Sequence, residues 1–228
     1  MARGVFASRI ETAEAFAELL AGDGVLRGLI GPRETPRLWD RHILNSAVLA
    51  NVVADGARVA DIGSGAGLPG VVLAIARPDV QVTLIEPLLR RTTFLTEAAD
   101  TLGLSNVRVV RARAEDLHGE ESFRPGFDVV TSRAVAPLDR LLTWSLPLVA
   151  PAGEFLALKG DRASAEVGSS TELHRWSVTT PEIVELGAAV LETPTYAVRL
   201  RWSQPESVAW PPVRTVAPSP RGRARRRR

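Results

Sequence analysis

Apolar residues in the first quarter of the chain recur at intervals of three and four positions. This spacing runs through residues 8–53, in "IETAEAFAELLAG", which ends in a glycine, and in "RLWDRHILNSAVLANVV". Such a period places the apolar side chains on one face of an α-helix, and a closing glycine is typical of a helix end. We therefore expect residues 1–55 to form a helical N-terminal extension.

The pattern changes at residue 57, where short apolar runs begin to alternate with segments of helical length. The runs that predict strands are "ARVADIG", "VQVTLIEP", "VRVVRARAEDL", "FDVVTSRAV" and "EFLALKG". The segments that predict helices between them are "LPGVVLAIARP", "RRTTFLTEAADTLGL" and "LDRLLTWSLPLVAPAG". This alternation is typical of an α/β fold with a mostly parallel sheet and helices on both faces. With "TYAVRLRW" as a last, antiparallel strand, residues 56–213 are predicted to form one domain.

Charge separates the end of the chain from the rest. Residues 214–228 hold seven arginines and no acid, whereas residues 1–213 hold 21 basic against 26 acidic residues, a net charge of −5. The composition of this basic tail cannot build a core, so we expect it to be disordered. The tail either adds affinity for a polyanion such as RNA or is a solvated appendage.

The absence of some residue types limits the chemistry. The chain has no cysteine, and its three histidines share no metal-ligand spacing, so we expect no disulfide, no cysteine nucleophile and no metal site. Neither a signal segment nor a run of 18 apolar residues is present, which predicts a cytoplasmic protein without membrane contact. We also expect a monomer.

The segment "DIGSGAGLPG", Asp61 to Gly70, follows the first predicted strand and has two interpretations. Gly65, Gly67 and Gly70 match the turn that holds a dinucleotide pyrophosphate. Asp61 with Gly63, Gly65 and Gly67 instead matches a loop on which the methionine part of S-adenosylmethionine lies. Both ligands carry a ribose diol, so Glu86, at the end of the second strand, fits either.

Two acidic positions favour S-adenosylmethionine. Asp61 can accept the ammonium of a methionine group, whereas its charge would oppose a pyrophosphate. In "RAED", after the third strand, Ala114 and Glu115 can offer a backbone N–H and a carboxylate to an adenine edge. The structural alternatives are a helix cap for Asp61 and a surface acid for Glu115.

Five segments together carry a family resemblance: "RLWDRHILNS", "DIGSGAGLPG", "RAED", "TSRAVAPL" and "FLALKG". In order and spacing they resemble the bacterial small-subunit ribosomal RNA guanine-N7 methyltransferases, also known as the glucose-inhibited division protein B family. The likeness runs from about Arg37 to Gly160 and implies a class I S-adenosylmethionine-dependent methyltransferase fold, which is Rossmann-like with a helical N-terminal extension. It implies transfer of a methyl group from S-adenosylmethionine to N7 of a guanine in the decoding-region loop of 16S rRNA. The implied donor contacts fall on Gly63, Leu68, Ala114, Glu115 and Arg133.

Four further residues are candidates for catalytic roles. Arg133 can bind guanine O6, a phosphate or the donor's carboxylate, of which the resemblance favours the last, or it can pair with Asp128 or Asp139. Ser132 can hydrogen-bond the base or satisfy a turn. Lys159, the only lysine, can contact an RNA phosphate or be an ordinary surface residue. His42 can orient donor or base, or pack between the extension and the sheet.

Guanine N7 suits a site without a general base, because it carries an in-plane lone pair and no proton. Such an enzyme need only align N7 with the methyl group and exclude water. N7 is inaccessible in an A-form helix, so the target is expected to be unpaired or distorted rRNA, within the 30S subunit or an assembly intermediate. The alternatives are a small-molecule methyltransferase, a nicotinamide-dependent oxidoreductase and a binding module without turnover.

Overall fold

The computed structural model describes residues 5–133 and 135–214. Its strands are β1 Arg58–Ile62, β2 Gln81–Ile85, β3 Val107–Val110, β4 Phe127–Arg133, β5 Val149–Leu158, β6 Glu182–Leu186 and β7 Thr195–Arg201. They form a single sheet in the order β3-β2-β1-β4-β5-β7-β6. The first five strands pair in parallel, whereas β7 runs antiparallel to both β5 and β6. The predicted mostly parallel sheet and its antiparallel addition are confirmed.

The α-helices are α1 Ile10–Leu19, α2 Asn45–Ala47, α3 Gly70–Ala76, α4 Leu89–Thr101, α5 Leu138–Ser145 and α6 Ala163–Ser169. A π-helical turn, Leu20–Gly24, extends α1, and another, Leu38–Leu44, leads into α2. Helices α1 to α4 pack on one face of the sheet and α5 on the other, each over its own apolar core. Within the described ranges, no helix combines the length and apolar character needed to cross a membrane.

The N-terminal extension shares its core with the sheet instead of forming a separate unit. The fully buried ring of Phe16 on α1 lies beside the glycine loop, where a Cβ added at Gly67 would come within 3.2 Å of its Cζ. Arg77, which directly follows α3, donates hydrogen bonds to the carbonyl oxygens of Ala50 (3.0 Å) and Val53 (2.8 Å). The extension is therefore fixed against the loop that follows β1.

Strand β5 begins earlier than its pattern predicts. The segment "LVAPAG" indicates a helix end and a turn, yet Val149 already pairs with Phe127, and the next pairing joins Glu154 to Val129. The residues between bulge out of the ladder, because a proline and a glycine fit a bulge where they would weaken a regular strand. Gly153 crosses so close to β4 that a Cβ there would lie 2.5 Å from the Phe127 carbonyl oxygen.

Two elements were not predicted, namely β6 and α6. Strand β6 is an edge strand whose side chains are mostly exposed, so its sequence lacks the alternation of a half-buried strand. Helix α6 buries only Ala163 fully. Both lie on the periphery, where packing places little demand on the sequence pattern.

The folded part of the chain extends one residue further than the sequence predicts, to Arg214. The sequence assigns Arg214 to the tail, but its Nη2 donates to Oγ1 of Thr143 (2.8 Å) and lies 3.2 Å from Oε2 of Glu172. Its guanidinium also stacks over the ring of Trp176, 6.0 Å from the centroid. Arg214 is thus part of the folded unit, and the rest of the tail, residues 215–228, lies outside the described residues.

Candidate active site

A cavity of about 670 Å³ opens at the carboxyl ends of β1, β2, β3 and β4. Loops after these strands supply its polar groups, while Ile62, Leu68, Ile85 and Val135 supply apolar walls. Ligands of open α/β sheets bind outside the carboxyl ends of the strands, near the point where strand order reverses. Here that point lies between β1 and β4, so the cavity occupies the expected place.

The loop after β1 is built on three alternating glycines with left-handed backbone. Gly63, Gly65 and Gly67 have φ values of +69°, +57° and +89°, a region that L side chains rarely occupy. Space is restricted as well, since a Cβ at Gly63 would lie 2.8 Å from Val135 and one at Gly67 would lie 2.5 Å from Val71. The loop thus exposes backbone to the cavity, and at Gly63 and Gly67 a side chain would also collide with its neighbours.

Asp61 lies beneath this loop, fully buried at the end of β1. Its Oδ2 accepts a hydrogen bond from the N–H of Gly70 (3.0 Å), the first residue of α3, which is the contact that the helix-cap interpretation predicts. Its Oδ1 is buried and has no hydrogen-bond partner among the described residues. Burial raises the pKa of this carboxyl to about 7. Asp61 does not itself line the cavity.

Glu86, at the end of β2, lines the cavity and is only 1% exposed. Its Oε2 accepts from the Gly65 N–H (3.1 Å) and lies 3.3 Å from Nη1 of Arg91, while its Oε1 accepts from the Leu88 N–H (3.0 Å). These bonds tie the glycine loop to the loop after β2. A carboxylate offers about four acceptor positions and three are used here, so capacity remains for one hydroxyl of a diol.

The segment "RAED" forms a 3-10 turn, Ala114–Leu117, directly after β3. Ala114 is buried and Glu115 is exposed, and both line the cavity. The carboxylate of Asp116 accepts from the Arg113 N–H at 3.4 Å and closes the turn. The third strand end therefore presents a backbone edge and a carboxylate to the same cavity as the glycine loop.

Arg133 ends β4 and lies on the boundary of the cavity. Its Nη2 donates to Nδ1 of His42 (2.9 Å) and its Nη1 to the Arg41 carbonyl oxygen (3.3 Å). Burial lowers the pKa of its guanidinium to about 10, which still leaves it cationic at neutral pH. The aspartates considered from sequence are engaged elsewhere: Asp128 accepts from the Arg58 N–H, and Asp139 binds Ser170 and Thr171.

His42 has both ring nitrogens occupied. Because a guanidinium can only donate, Nδ1 must accept from Arg133, and Nε2 carries the proton that it donates to Oε2 of Glu34 at 2.8 Å. Burial lowers the pKa of His42, and the hydrogen bond from His42 lowers the pKa of Glu34. The chain Glu34–His42–Arg133 therefore holds the arginine in one orientation.

Two candidates lie where the sequence interpretation did not place them. Ser132 is fully buried, its Oγ has no partner among the described residues, and it lines neither this cavity nor the adjoining one. The side chain of Lys159 is 5% exposed. Its Nζ donates to the Ala136 carbonyl oxygen (2.7 Å) and to Oε2 of Glu166 (2.9 Å). This lysine is neither an ordinary surface residue nor a free ammonium.

Other cavity residues escaped the sequence interpretation. Trp144 contributes to the wall, and Glu34 and Arg91 reach the cavity from the extension and from α4. Neither Glu34 nor Trp144 belongs to a strand end or a glycine motif, so no local signal marked them. Among the described residues, no group of three or more histidine, cysteine or acidic side chains is arranged to hold a metal ion.

Comparisons with known proteins agree with this architecture. The family model described as rRNA small subunit methyltransferase G matches residues 9–189. A protein of that name from a Nocardioides species is 61% identical over 100% of this chain and 89% of its own, and one from Streptomyces avermitilis is 51% identical over 100% and 94%. A solved putative O-methyltransferase from Klebsiella pneumoniae shares the fold, with a TM-score of 0.55 and 15% identity over 83% of this chain and 90% of its own. The chain belongs to the rRNA small subunit methyltransferase G family.

Proposed function

We propose that this protein transfers a methyl group from S-adenosylmethionine to N7 of a guanine in 16S rRNA. The observation that carries the proposal is the donor-type cavity at the β1–β4 switch point, found in a chain that belongs to this family over most of its length. The acceptor is an unpaired or distorted nucleotide, presented by the 30S subunit or an assembly intermediate to a monomeric, cytoplasmic enzyme.

The residues present fit S-adenosylmethionine. Its ammonium is a partner for the unpaired Oδ1 of Asp61, which does not line the cavity and is therefore reached through a water molecule. Its ribose diol is matched by Glu86, and its adenine by the Ala114 N–H and the Glu115 carboxylate. The glycine loop leaves Gly63, Gly65 and Leu68 against the donor, while Gly67 lets the chain turn into α3. We assign donor binding to these residues together with Arg133.

Bound donor supplies an electrophilic methyl group on a sulfonium. The protein's own task is then to orient donor and base, because N7 attacks with a lone pair and no proton needs to be removed. His42 is consistent with this, since both of its ring nitrogens already have partners and neither is free to act as a base. Val135 and Trp144 add apolar surface to the cavity lining, which favours exclusion of water around the reacting atoms.

Arg133 serves as an electrostatic and orienting residue at the boundary of the donor cavity, where its fixed guanidinium can bind the donor's carboxylate. His42 is a positioning residue that acts through Arg133. Lys159 orders the loop after β4 by donating a hydrogen bond to the Ala136 carbonyl oxygen. Ser132 precedes this loop, within β4. A direct contact from Ser132 to the base would require the β4 end to move.

The test is methyl transfer from labelled S-adenosylmethionine to unmethylated 30S subunits and to free 16S rRNA, followed by mapping of the modified base. Label on N7 of a single guanine is expected, and the preferred substrate form shows whether assembly matters. Donor binding without label on either RNA contradicts the proposal and favours the small-molecule methyltransferase. Binding of NAD without binding of S-adenosylhomocysteine contradicts the donor assignment itself.

A further inference from the structure

A second cavity, of about 1060 Å³, adjoins the donor cavity on the other side of Arg133. It lies over the ends of β4, β5 and β7, and the two cavities share Glu34, His42, Arg133 and Val135 as a common wall. An acceptor must reach the donor's methyl group from a neighbouring space. The second cavity is open to solvent and is large enough for a nucleotide.

The lining of this second cavity has a net positive charge, whereas residues 1–213 as a whole have a net negative charge. Its lining carries four cations, Arg41, Arg133, Lys159 and Arg162, against the two carboxylates of Glu34 and Glu166. Residues 1–213 as a whole carry a net charge of −5. A locally positive cavity on an acidic protein indicates an anionic ligand.

Two of these cations are already committed and two remain available. Lys159 is paired with Glu166, and Arg133 is held by His42 and the Arg41 carbonyl oxygen. The side chain of Arg41 is 54% exposed, and among the described residues only its Nη1 is engaged, donating to both carboxylate oxygens of Glu34 at 3.3 Å. Arg162 is exposed and has no ion pair or hydrogen bond with any other described side chain.

We propose that the second cavity binds the RNA backbone beside the acceptor nucleotide, with Arg41 and Arg162 contacting its phosphodiester oxygens. This inference rests on the proposed function, because it takes RNA as the substrate. Arg41 precedes His42 in the chain, and Arg162 follows the β5 end that Lys159 fixes. The two arginines thus approach the backbone from the extension and from the sheet, on either side of the wall formed by Arg133.

The experiment measures equilibrium binding of 16S rRNA transcribed in vitro, which carries no modification, at several salt concentrations. Arg41→Ala and Arg162→Ala are each expected to weaken RNA binding roughly three- to tenfold. Each is also expected to reduce the slope of log K against log salt by about 1. Arg162→Lys keeps the charge and should retain most of the affinity. Binding of S-adenosylhomocysteine, followed by calorimetry, should stay at the wild-type value in all three.

Arg124→Ala is the matched control. It removes one exposed arginine just before the amino-terminal end of β4, whereas both cavities lie at the carboxyl end of that strand. The proposal is overturned if Arg41→Ala and Arg162→Ala bind RNA with the affinity and salt slope of the wild type. It is also overturned if their loss of RNA affinity is no larger than that of Arg124→Ala.

Failure of this inference is distinguishable from failure of the proposed function, because RNA binding is measured without methyl transfer. A wild-type protein that methylates 16S rRNA while binding is insensitive to both arginines contradicts only the second-cavity inference. A protein whose RNA binding depends on both arginines but which transfers no methyl group contradicts only the proposed function.

Discussion

The guanidinium of Arg133 donates a hydrogen bond across 2.9 Å to Nδ1 of His42, a residue 91 positions earlier in the chain. This contact joins the N-terminal extension to the end of β4. It lies in the wall between the two cavities, of which we assign one to the donor and the other to RNA. The extension is therefore part of the active-site architecture, because without it Arg133 would lose both of its hydrogen-bond acceptors.

His42→Ala is expected to lower kcat for methyl transfer between roughly tenfold and a hundredfold, because Arg133 loses its orientation. His42→Asn places an acceptor close to the position of Nδ1 and should recover most of this loss. Steady-state methylation of 30S subunits, with kcat and KM measured for both substrates, tests the two variants His42→Ala and His42→Asn. Wild-type kcat and KM in His42→Ala would show that the imidazole only fills space.

The same contact predicts a pH dependence. Burial lowers the pKa of His42, which faces Glu34, Arg41 and Arg133. Protonation places a hydrogen on Nδ1, removes the acceptor and sets two cations against each other. We expect kcat to fall as the pH drops below the ordinary histidine value of about 6.5, and His42→Asn to lack this limb. If kcat has the same pH dependence in the wild type and in His42→Asn, His42 is not the group whose protonation lowers the rate.

Asp61→Asn is expected to stabilise the free protein and to weaken donor binding. The pKa of this carboxyl is raised to about 7 by burial, so the folded state binds a proton that the unfolded state has lost. Its contribution to stability is therefore present at low pH and lost as the pH rises through 7. At pH 8 the neutral amide should add on the order of a few kcal/mol to the free energy of unfolding.

Denaturant unfolding at pH 5 and pH 8 measures this effect, and calorimetry with S-adenosylhomocysteine measures the function. An asparagine can still accept from the Gly70 N–H, so the helix cap is preserved. If Asp61 serves only as that cap, Asp61→Asn binds the donor product normally. Loss of binding together with a gain in stability at pH 8 supports the assignment of the charge to the donor's ammonium.

Gly63→Ala is expected to lower donor affinity at least tenfold. Gly56→Ala is the matched control, because the two glycines have nearly the same φ, +69° and +68°. Each alanine costs about 1 kcal/mol for the left-handed backbone. Only the alanine at Gly63 also meets Val135, at 2.8 Å, whereas a Cβ at Gly56 has nothing within 4 Å. Gly63→Ala should therefore melt at a lower temperature than Gly56→Ala and, measured below both transitions, bind the donor more weakly. Equal donor affinity in the two folded variants contradicts the assignment of the glycine loop to donor binding.

A chain that ends at Arg214 lacks six of the seven tail arginines but keeps the one that contacts Thr143 and Glu172. We expect weaker RNA binding with a shallower salt dependence, and unchanged turnover at saturating RNA. A chain that ends at residue 213 should in addition melt at a lower temperature. If the shorter tail reduces donor binding, residues 215–228 belong to the donor site and not to an RNA-binding appendage.

Features that depend on residues close together in the chain could be predicted without the structure. Apolar runs of strand length, helical periodicity and three alternating glycines predict the parallel sheet, its helices and the loop after β1, because each depends on neighbours within a few positions. Asp61, Glu86 and the "RAED" turn could be placed at one edge for the same reason, since parallel strands end together. The bulge in β5 was missed because proline and glycine indicate a turn as readily as a bulge.

Contacts between residues far apart in the chain could not be predicted, because they depend on how the elements pack. Lys159 is held by Glu166 and a loop carbonyl oxygen, Arg133 is held by His42 instead of an aspartate, and Arg214 packs on α5. The positive second cavity exists because Arg41 and Arg162, more than a hundred residues apart, face one space. Such relationships depend on how the extension and the sheet pack against each other, and this packing leaves no periodic signature in the chain.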